Sequence, residues 1–249
     1  MDRRTFLKTV PAVTVLAATG RAFAQETAPT SSRSETPGTA PSSAPAPEAI
    51  TLLKPQADGG KSVLAALWER RTIRNISPEK LPAQMLSNLL WAAWGVNREG
   101  GPSGRPGRTA ASASNSQEID LYVVLPEGVY LYEAVPHRLS LVVAGDLRAK
   151  VGRGRRGSAA QAPVNLIFVA DVAKFAQAPF QEPGLKDPEV QKSYYNVATG
   201  LIAGNVFLFA ASQGLAAWFH NCDKAGLATE LKLRPDQRVL YAQTVGYPA

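Results

Sequence analysis

Residues 200–218, GLIAGNVFLFAASQGLAAW, read as the back half of a long helix, a glycine stop and the first residues of a strand. The helix is expected to start at Glu189, after a turn-rich stretch between Pro179 and Pro188, and to end at Gly214. Gly200 and Gly204 lie four apart and share one helical face. An interior glycine costs about 1 kcal/mol against alanine, so the pair points to another backbone or a flat ligand packed on that face.

The flanking segments extend the pattern. LAAWFHN (215–221) is a short strand, DKAGLATELKL (223–233) a helix and QRVLYAQTVGYP (237–248) a closing strand. Upstream, APVNLIFVADV (162–172) is a buried strand by its continuous apolar run. IDLYVVLPEGVYLYEAVPHRLSLVVAG (119–145) gives a strand, a Pro-Glu-Gly turn, a second strand and a third short apolar segment. SVLAALWERR (62–71) carries Val63, Leu64, Leu67 and Trp68 at helical spacing, and LPAQMLSNLLWAAWG (81–95) is a second helix stopped at Gly95. Between them and the strands lies a Gly/Pro/Arg-rich loop, NREGGPSGRPGR (97–108). No parallel βαβ rhythm is present, so the class is α+β and not a dinucleotide-binding fold.

The N-terminus reads as an address. Arg3-Arg4 with Phe6-Leu7-Lys8, the apolar run PAVTVLAATG and Ala22-Phe23-Ala24 make a twin-arginine export signal over residues 1–24, with a periplasmic destination. Its apolar run is too short for a stable membrane span of about 20 residues. Residues 25–58 are mostly Ala, Pro, Ser and Thr up to Glu48, which predicts a disordered linker, with one domain over 59–249. Loss of the signal removes Arg3, Arg4, Lys8, Arg21 and Asp2, so the formal charge of +7 falls by three. Such a mild charge, without aromatics interleaved along a basic stripe, argues against a nucleic-acid partner. One cysteine rules out an internal disulfide framework, and two histidines without clustered Cys make a zinc or haem site improbable. His137 is expected to pack or face solvent. His220 and Cys222, two positions apart, do not read as a nucleophile and its base.

Two further segments ask for a polar ligand. RRTIR (70–74) follows a helix, and RTAASASNSQ (108–117), with no apolar period, precedes a buried strand. Basic groups and hydroxyls in two loops suit a phosphate and a polyhydroxy chain, through charge-assisted and neutral hydrogen bonds. Each segment alone also reads as a solvated helix end or an ordinary loop.

Their order and spacing resemble the nitroreductase family of flavin (FMN) enzymes, and more closely the branch of SagB- and ThcOx-type, azoline-oxidising dehydrogenases. The resemblance rests on RRTIR (70–74), LLWAAWG (89–95), RTAASA (108–113), GVYLY (128–132), GLIAGNVFLFAASQGL (200–215) and VGYP (245–248), and covers about residues 62–248. It implies an antiparallel-rich central sheet flanked by helices, in a homodimer with long interface helices. By position, Arg70, Arg71 and Thr72 fall on residues that meet the FMN phosphate and ribityl chain. Arg74 falls near the pyrimidine edge of the ring, where a cation raises the flavin potential. Ser112, Ser114, Asn115 and Gln117 fall on a second FMN loop, contributed by the other subunit, and His220-Asn221-Cys222 lies where backbone approaches flavin N5.

The chain departs from that pattern at Ala111, at Glu118-Ile119 and at Ala203-Gly204. Family members also carry a basic residue on a tail beyond the G-Y-P strand, a part that Arg153, Arg155 and Arg156 of VGRGRRG are candidates to replace.

The function implied is an FMN-dependent oxidoreductase that passes electrons through flavin N5 to or from a small organic or quinone-like substrate, with no catalytic side chain of its own. A periplasmic address favours a quinone or a protein over nicotinamide nucleotides as electron donor. The alternatives are an azoline- or peptide-oxidising dehydrogenase, and a flavin-free dimeric binding protein.

Overall fold

The computed structural model describes residues 49–101, 103–152 and 158–249. The expected export signal, residues 25–48 of the expected linker, and Arg153, Arg155 and Arg156 lie outside the described residues.

Nine strands are present among the described residues: β1 (Ala49–Thr51), β2 (Val96–Arg98), β3 (Gly107–Arg108), β4 (Ile119–Leu125), β5 (Gly128–Glu133), β6 (Arg138–Ala144), β7 (Val164–Asp171), β8 (Ala216–His220) and β9 (Gln237–Gly246). Seven of them form one sheet in the order β1-β6-β5-β4-β7-β9-β8, every pairing antiparallel. The helices are α1 (Val63–Glu69), α2 (Ala83–Trp94), α3 (Arg148–Val151), α4 (Ser158–Gln161), α5 (Pro188–Ser212) and α6 (Lys224–Glu230). This is the expected α+β fold, an antiparallel sheet flanked by helices.

The central strands are mostly apolar because both of their faces are covered. In β4, Ile119, Leu121, Val123 and Leu125 join the core under α2 and α5, while Tyr122 and Val124 join the core under α6. In β7, Leu166, Phe168 and Ala170 take the first side, and Ile167 and Val169 the second. Successive side chains of a strand point to opposite faces, so a continuous apolar run fits only a strand covered twice. Asp187 starts α5 by accepting hydrogen bonds from the amides of Glu189 and Val190, with Pro188 at its first position. Tyr195, Ala198, Ile202, Ala203, Val206 and Ala210 form the buried stripe of α5. The helix has the length and apolarity to cross a membrane, yet here that stripe packs on the sheet and α2.

Two expectations need correction. The linker does not extend to residue 58: β1 pairs with β6, and Ile50 and Leu52 pack on the main core. Ser87 Oγ donates to the Leu53 carbonyl and Gln84 Nε2 to the Lys54 carbonyl, which ties the following residues to α2. The change of composition after Glu48 was the signal for this earlier boundary. The loop 97–108 contains the β2–β3 ribbon, with a register shift between Val96 and Arg98.

The apolar residues of α1 point away from the core. Val63 is 67%, Leu64 79%, Leu67 53% and Trp68 87% exposed, and only Ala66 is buried. Among the described residues nothing lies within 4 Å of where a Cβ would stand at Gly200 and Gly204. His137 is a packing residue, its ring bridging Ser87 Oγ at 2.7 Å and Tyr132 OH at 2.9 Å.

Candidate functional site

The first limb of the site begins where α1 stops. Arg70 leaves the helix with extended backbone angles, and the amide of Ile73 then donates to the carbonyl of Ala217 at 3.0 Å. That bond lays Arg70–Arg74 along β8, at the edge of the sheet. The Arg70 guanidinium sits 4.8 Å from the Phe207 ring of α5, and that of Arg74 sits 5.9 Å from Trp218. Both are distances at which a cation is attracted to an aromatic face. Arg70, Arg71, Thr72 and Arg74 are all exposed. The side chains of Arg71 and Thr72 make no hydrogen bond or ion pair among the described residues.

His220 ends β8 on the same face as Trp218, with the two rings 4.3 Å apart. Its Nε2 lies 2.9 Å from Thr244 Oγ1 and its Nδ1 3.0 Å from the Asn221 carbonyl. Thr244 Oγ1 donates in turn to Asn165 Oδ1 at 2.6 Å. Burial pulls the imidazole below its ordinary pKa of 6.5, and the Asn221 carbonyl opposes that shift. Asn221 itself is exposed, while Cys222 is buried in the second core.

The second limb is the loop before β4. Ser114, Asn115 and Gln117 hold φ of 50°, 52° and 51°, a left-handed conformation that costs a non-glycine residue about 1–2 kcal/mol. A dense set of internal bonds enforces it. The Gln117 amide donates to Ser112 Oγ at 3.0 Å, and Gln117 Nε2 donates to the Pro106 carbonyl and to Asn115 Oδ1 at 2.8 and 2.9 Å. Arg108 Nε donates to Gln117 Oε1 at 2.8 Å. Arg105 grips the carbonyls of Asn115 and Ser116 at 3.2 Å. Ser114 Oγ donates to Glu182 at 3.1 Å.

These bonds separate the four residues expected in this loop. Gln117 is buried, and its side-chain amide is committed to the loop itself, so it positions its neighbours. Ser114 is turned toward Glu182. Ser112 and Asn115 line a cleft of about 370 Å³, with Asn97, Arg98, Arg105 and Phe180 also on its wall.

A second cleft of about 340 Å³ opens between α1, α2 and α5, walled by Val63, Trp91, Asn205, Leu208 and Phe209. The two clefts share Asn97 and Thr109. Thr109 Oγ1 is buried without a partner, and its carbonyl accepts from Asn205 Nδ2 at 3.1 Å. Arg70–Arg74 line neither cleft. Arg105, Thr109 and Asn205 were missed from the sequence. Their one signal was the arginine- and glycine-rich composition of the loop 97–108, which says nothing about direction.

A polar loop and a basic strand edge, set beside an apolar cleft on an antiparallel α+β sheet, define a ligand-binding scaffold. The model of the Nitroreductase family matches residues 67–247, and the chain belongs to that family. Its members are generally oxidoreductases and generally bind flavin. A protein of Methanocaldococcus jannaschii described as a nitroreductase is 30% identical over 161 residues, 60% of this chain and 73% of that one. A solved Ralstonia eutropha structure, also described as a nitroreductase, is 34% identical with a TM-score of 0.72, over 84% of this chain and 93% of the other. A chain of the E. coli microcin synthetase McbBCD complex, solved with truncated pro-MccB17, shares the fold at 17% identity and a TM-score of 0.60, over 72% of this chain and 69% of its own length.

Proposed function

We propose that this protein is an FMN-dependent oxidoreductase that works as a homodimer and exchanges electrons with a small organic or quinone-like substrate. The observation that carries the reading is the separation of two complementary limbs beside an uncovered apolar surface. Arg70–Arg74 stand at the edge of the sheet, and Ser112 and Asn115 line a cleft elsewhere. The outward residues of α1, with Val197 and Leu201 of α5, are exposed. A second copy laid on that surface would bring its polar loop to the arginines and would cover them. Burial of each large apolar side chain contributes about 1.5–3 kcal/mol, so Leu64, Leu67 and Trp68 alone favour such an assembly. The open face at Gly200 and Gly204 leaves room for a partner helix or a flat ring.

The first limb fits FMN chemically. Arg70 and Arg71 are exposed cations suited to a phosphate, through charge-assisted bonds. Thr72 supplies a hydroxyl for the ribityl chain, and Arg74 a positive charge for the pyrimidine edge. Ser112 and Asn115 would add polar contacts from the other subunit, with Gln117 holding their backbone. The main chain of His220 and Asn221 would border the ring. When bound, FMN supplies hydride transfer at N5, and the protein supplies orientation and charge. Residues 1–24 read as a twin-arginine signal, so a periplasmic enzyme with a quinone or protein donor is part of this proposal. The reading as an azoline- or peptide-oxidising dehydrogenase has the fold likeness to the microcin synthetase as its support.

The test is an absorption spectrum of residues 25–249 before and after heat release of ligand, with the mass taken by light scattering. Flavin bands, equimolar FMN and a dimer's mass are expected. A colourless protein that takes up no added FMN sinks the enzyme reading and favours the flavin-free binding protein.

A further inference from the structure

Beside the second limb lies a smaller cavity of about 200 Å³, walled by Arg105, Arg108, Ser116, Gln117, Lys174 and Gln177. That is below the roughly 300–1,000 Å³ of pockets that enclose a drug-sized molecule, so it suits a single small group. Three of its six wall residues are cations, and two of them make no ion pair among the described residues. Arg105 donates only to neutral carbonyls, those of Asn115, Ser116 and Gln177. Arg108 donates to Gln117 Oε1 and the Trp94 carbonyl, and its guanidinium lies 5.2 Å from the Trp94 ring. Among the described residues neither guanidinium has a carboxylate within ion-pair distance. Arg105 Nε and Arg108 Nη2 carry no hydrogen bond there.

The acids nearby do not fill this role. Asp120 is taken by Lys174 at 2.5 Å and also accepts from Gln237 at 3.2 Å. Glu118 is wholly buried and accepts from Ser116 Oγ at 2.6 Å, while its Oε1 has no partner. Burial pushes the Glu118 carboxyl above its ordinary range, which favours its neutral form. Burial also pulls Arg108 below its ordinary 12.5; Tyr132 and Asp120 oppose that shift, and the like charge of Arg105 adds to it.

We propose that this cavity binds a small oxyanion, either free phosphate or the acid group of an organic ligand. A guanidinium presents its donors in a planar fork that matches carboxylate and phosphate oxygens, and here two such forks border one space with donors to spare. The bound anion would join Arg105, which braces Asn115 and Ser116, to Arg108, which braces Gln117. It would therefore stiffen the left-handed loop without touching the first limb. The proposal rests on neither FMN nor a dimer.

The test is thermal unfolding of the purified protein in rising phosphate or acetate, each against chloride at matched ionic strength. Saturable stabilisation by phosphate or acetate beyond chloride is expected, and the better anion separates a phosphoryl group from a carboxylate. Equal effects of all three overturn the site. Arg105→Gln, with an unchanged circular-dichroism spectrum, should raise the half-saturating concentration about tenfold or more, as expected for loss of a charge-assisted bond. Retained affinity in that variant overturns the proposal. If Arg105→Gln does not fold, Arg105→Lys takes its place, because it keeps the charge and loses the planar fork, and retained affinity there overturns the proposal as well. The double variant Arg70→Gln/Arg71→Gln must keep the effect. Its loss there would move the anion to the flavin limb and refute the cavity.

Discussion

The two limbs differ in what their polar groups are doing. The side chains of Arg70, Arg71, Thr72 and Arg74 are exposed, and two guanidiniums rest on aromatic rings without a hydrogen bond among the described residues. In the loop Ser112–Gln117 most polar atoms are already engaged, and three residues are held left-handed. A residue whose hydrogen bonds are complete within the chain shapes a site; one with donors to spare can hold a ligand. The same pattern of hydroxyls, amides and arginines therefore splits into scaffold and contact groups. Gln117 belongs to the scaffold, and the proposed function makes Arg70 and Arg71 the contacts.

Breaking the scaffold should have the largest effect on stability. Gln117→Ala removes three side-chain hydrogen bonds at a buried position and leaves the Pro106 carbonyl and Arg108 Nε without that partner. At about 1 kcal/mol for each bond, the expected loss is roughly 2–4 kcal/mol, read from denaturant midpoints. An unchanged midpoint would return Gln117 to the contact group.

The contacts should behave in the opposite way. Arg70→Gln and Arg71→Gln are each expected to weaken FMN binding by roughly 10- to 100-fold, the range of a charge-assisted bond, with an unfolding midpoint close to wild type. A flavin titration followed by fluorescence checks this. Equal affinity in both variants would remove the first limb from the cofactor.

Glu118, beside the scaffold, sharpens the comparison through pH. Its folded pKa is raised above the ordinary 4.5 by burial. Its contribution to stability is therefore full below that ordinary value and is lost as pH climbs through the folded pKa. Glu118→Gln should flatten the stability curve in this window, removing a slope of about 1.4 kcal/mol per pH. A variant curve parallel to wild type would mean that Glu118 does not titrate there.

The smallest effect is expected at Ser114. Glycine accepts its positive φ without a steric penalty, so Ser114→Gly should gain about 0.5–1 kcal/mol from relieved strain, partly offset by the lost bond to Glu182. Destabilisation by more than that amount would show that the Glu182 bond outweighs the strain.

The apolar residues of α1 mark where a one-dimensional pattern stops being informative. Val63, Leu64, Leu67 and Trp68 have the spacing of a core-facing helix, and the helix does form, capped by Ser62. Spacing shows that apolar residues share a face; it does not show whether that face meets the chain's own core or something else. Likewise the run Ala49–Leu52 is too short to stand out from the linker, and it becomes a strand only because β6 offers it an edge.

Sequence by itself determined the α+β class, the long helix α5, the strands β4 and β7 and the two polar segments of the candidate site. Each depends on local periodicity and on turn or capping residues, and these act over a few neighbouring positions. Tertiary structure alone decided that α1 faces outward, that Gln117 is committed to its own loop and that Arg105 and Arg108 meet across a cavity. Those facts depend on which groups find partners across the fold, and hydrogen-bond saturation and burial are properties of the folded chain.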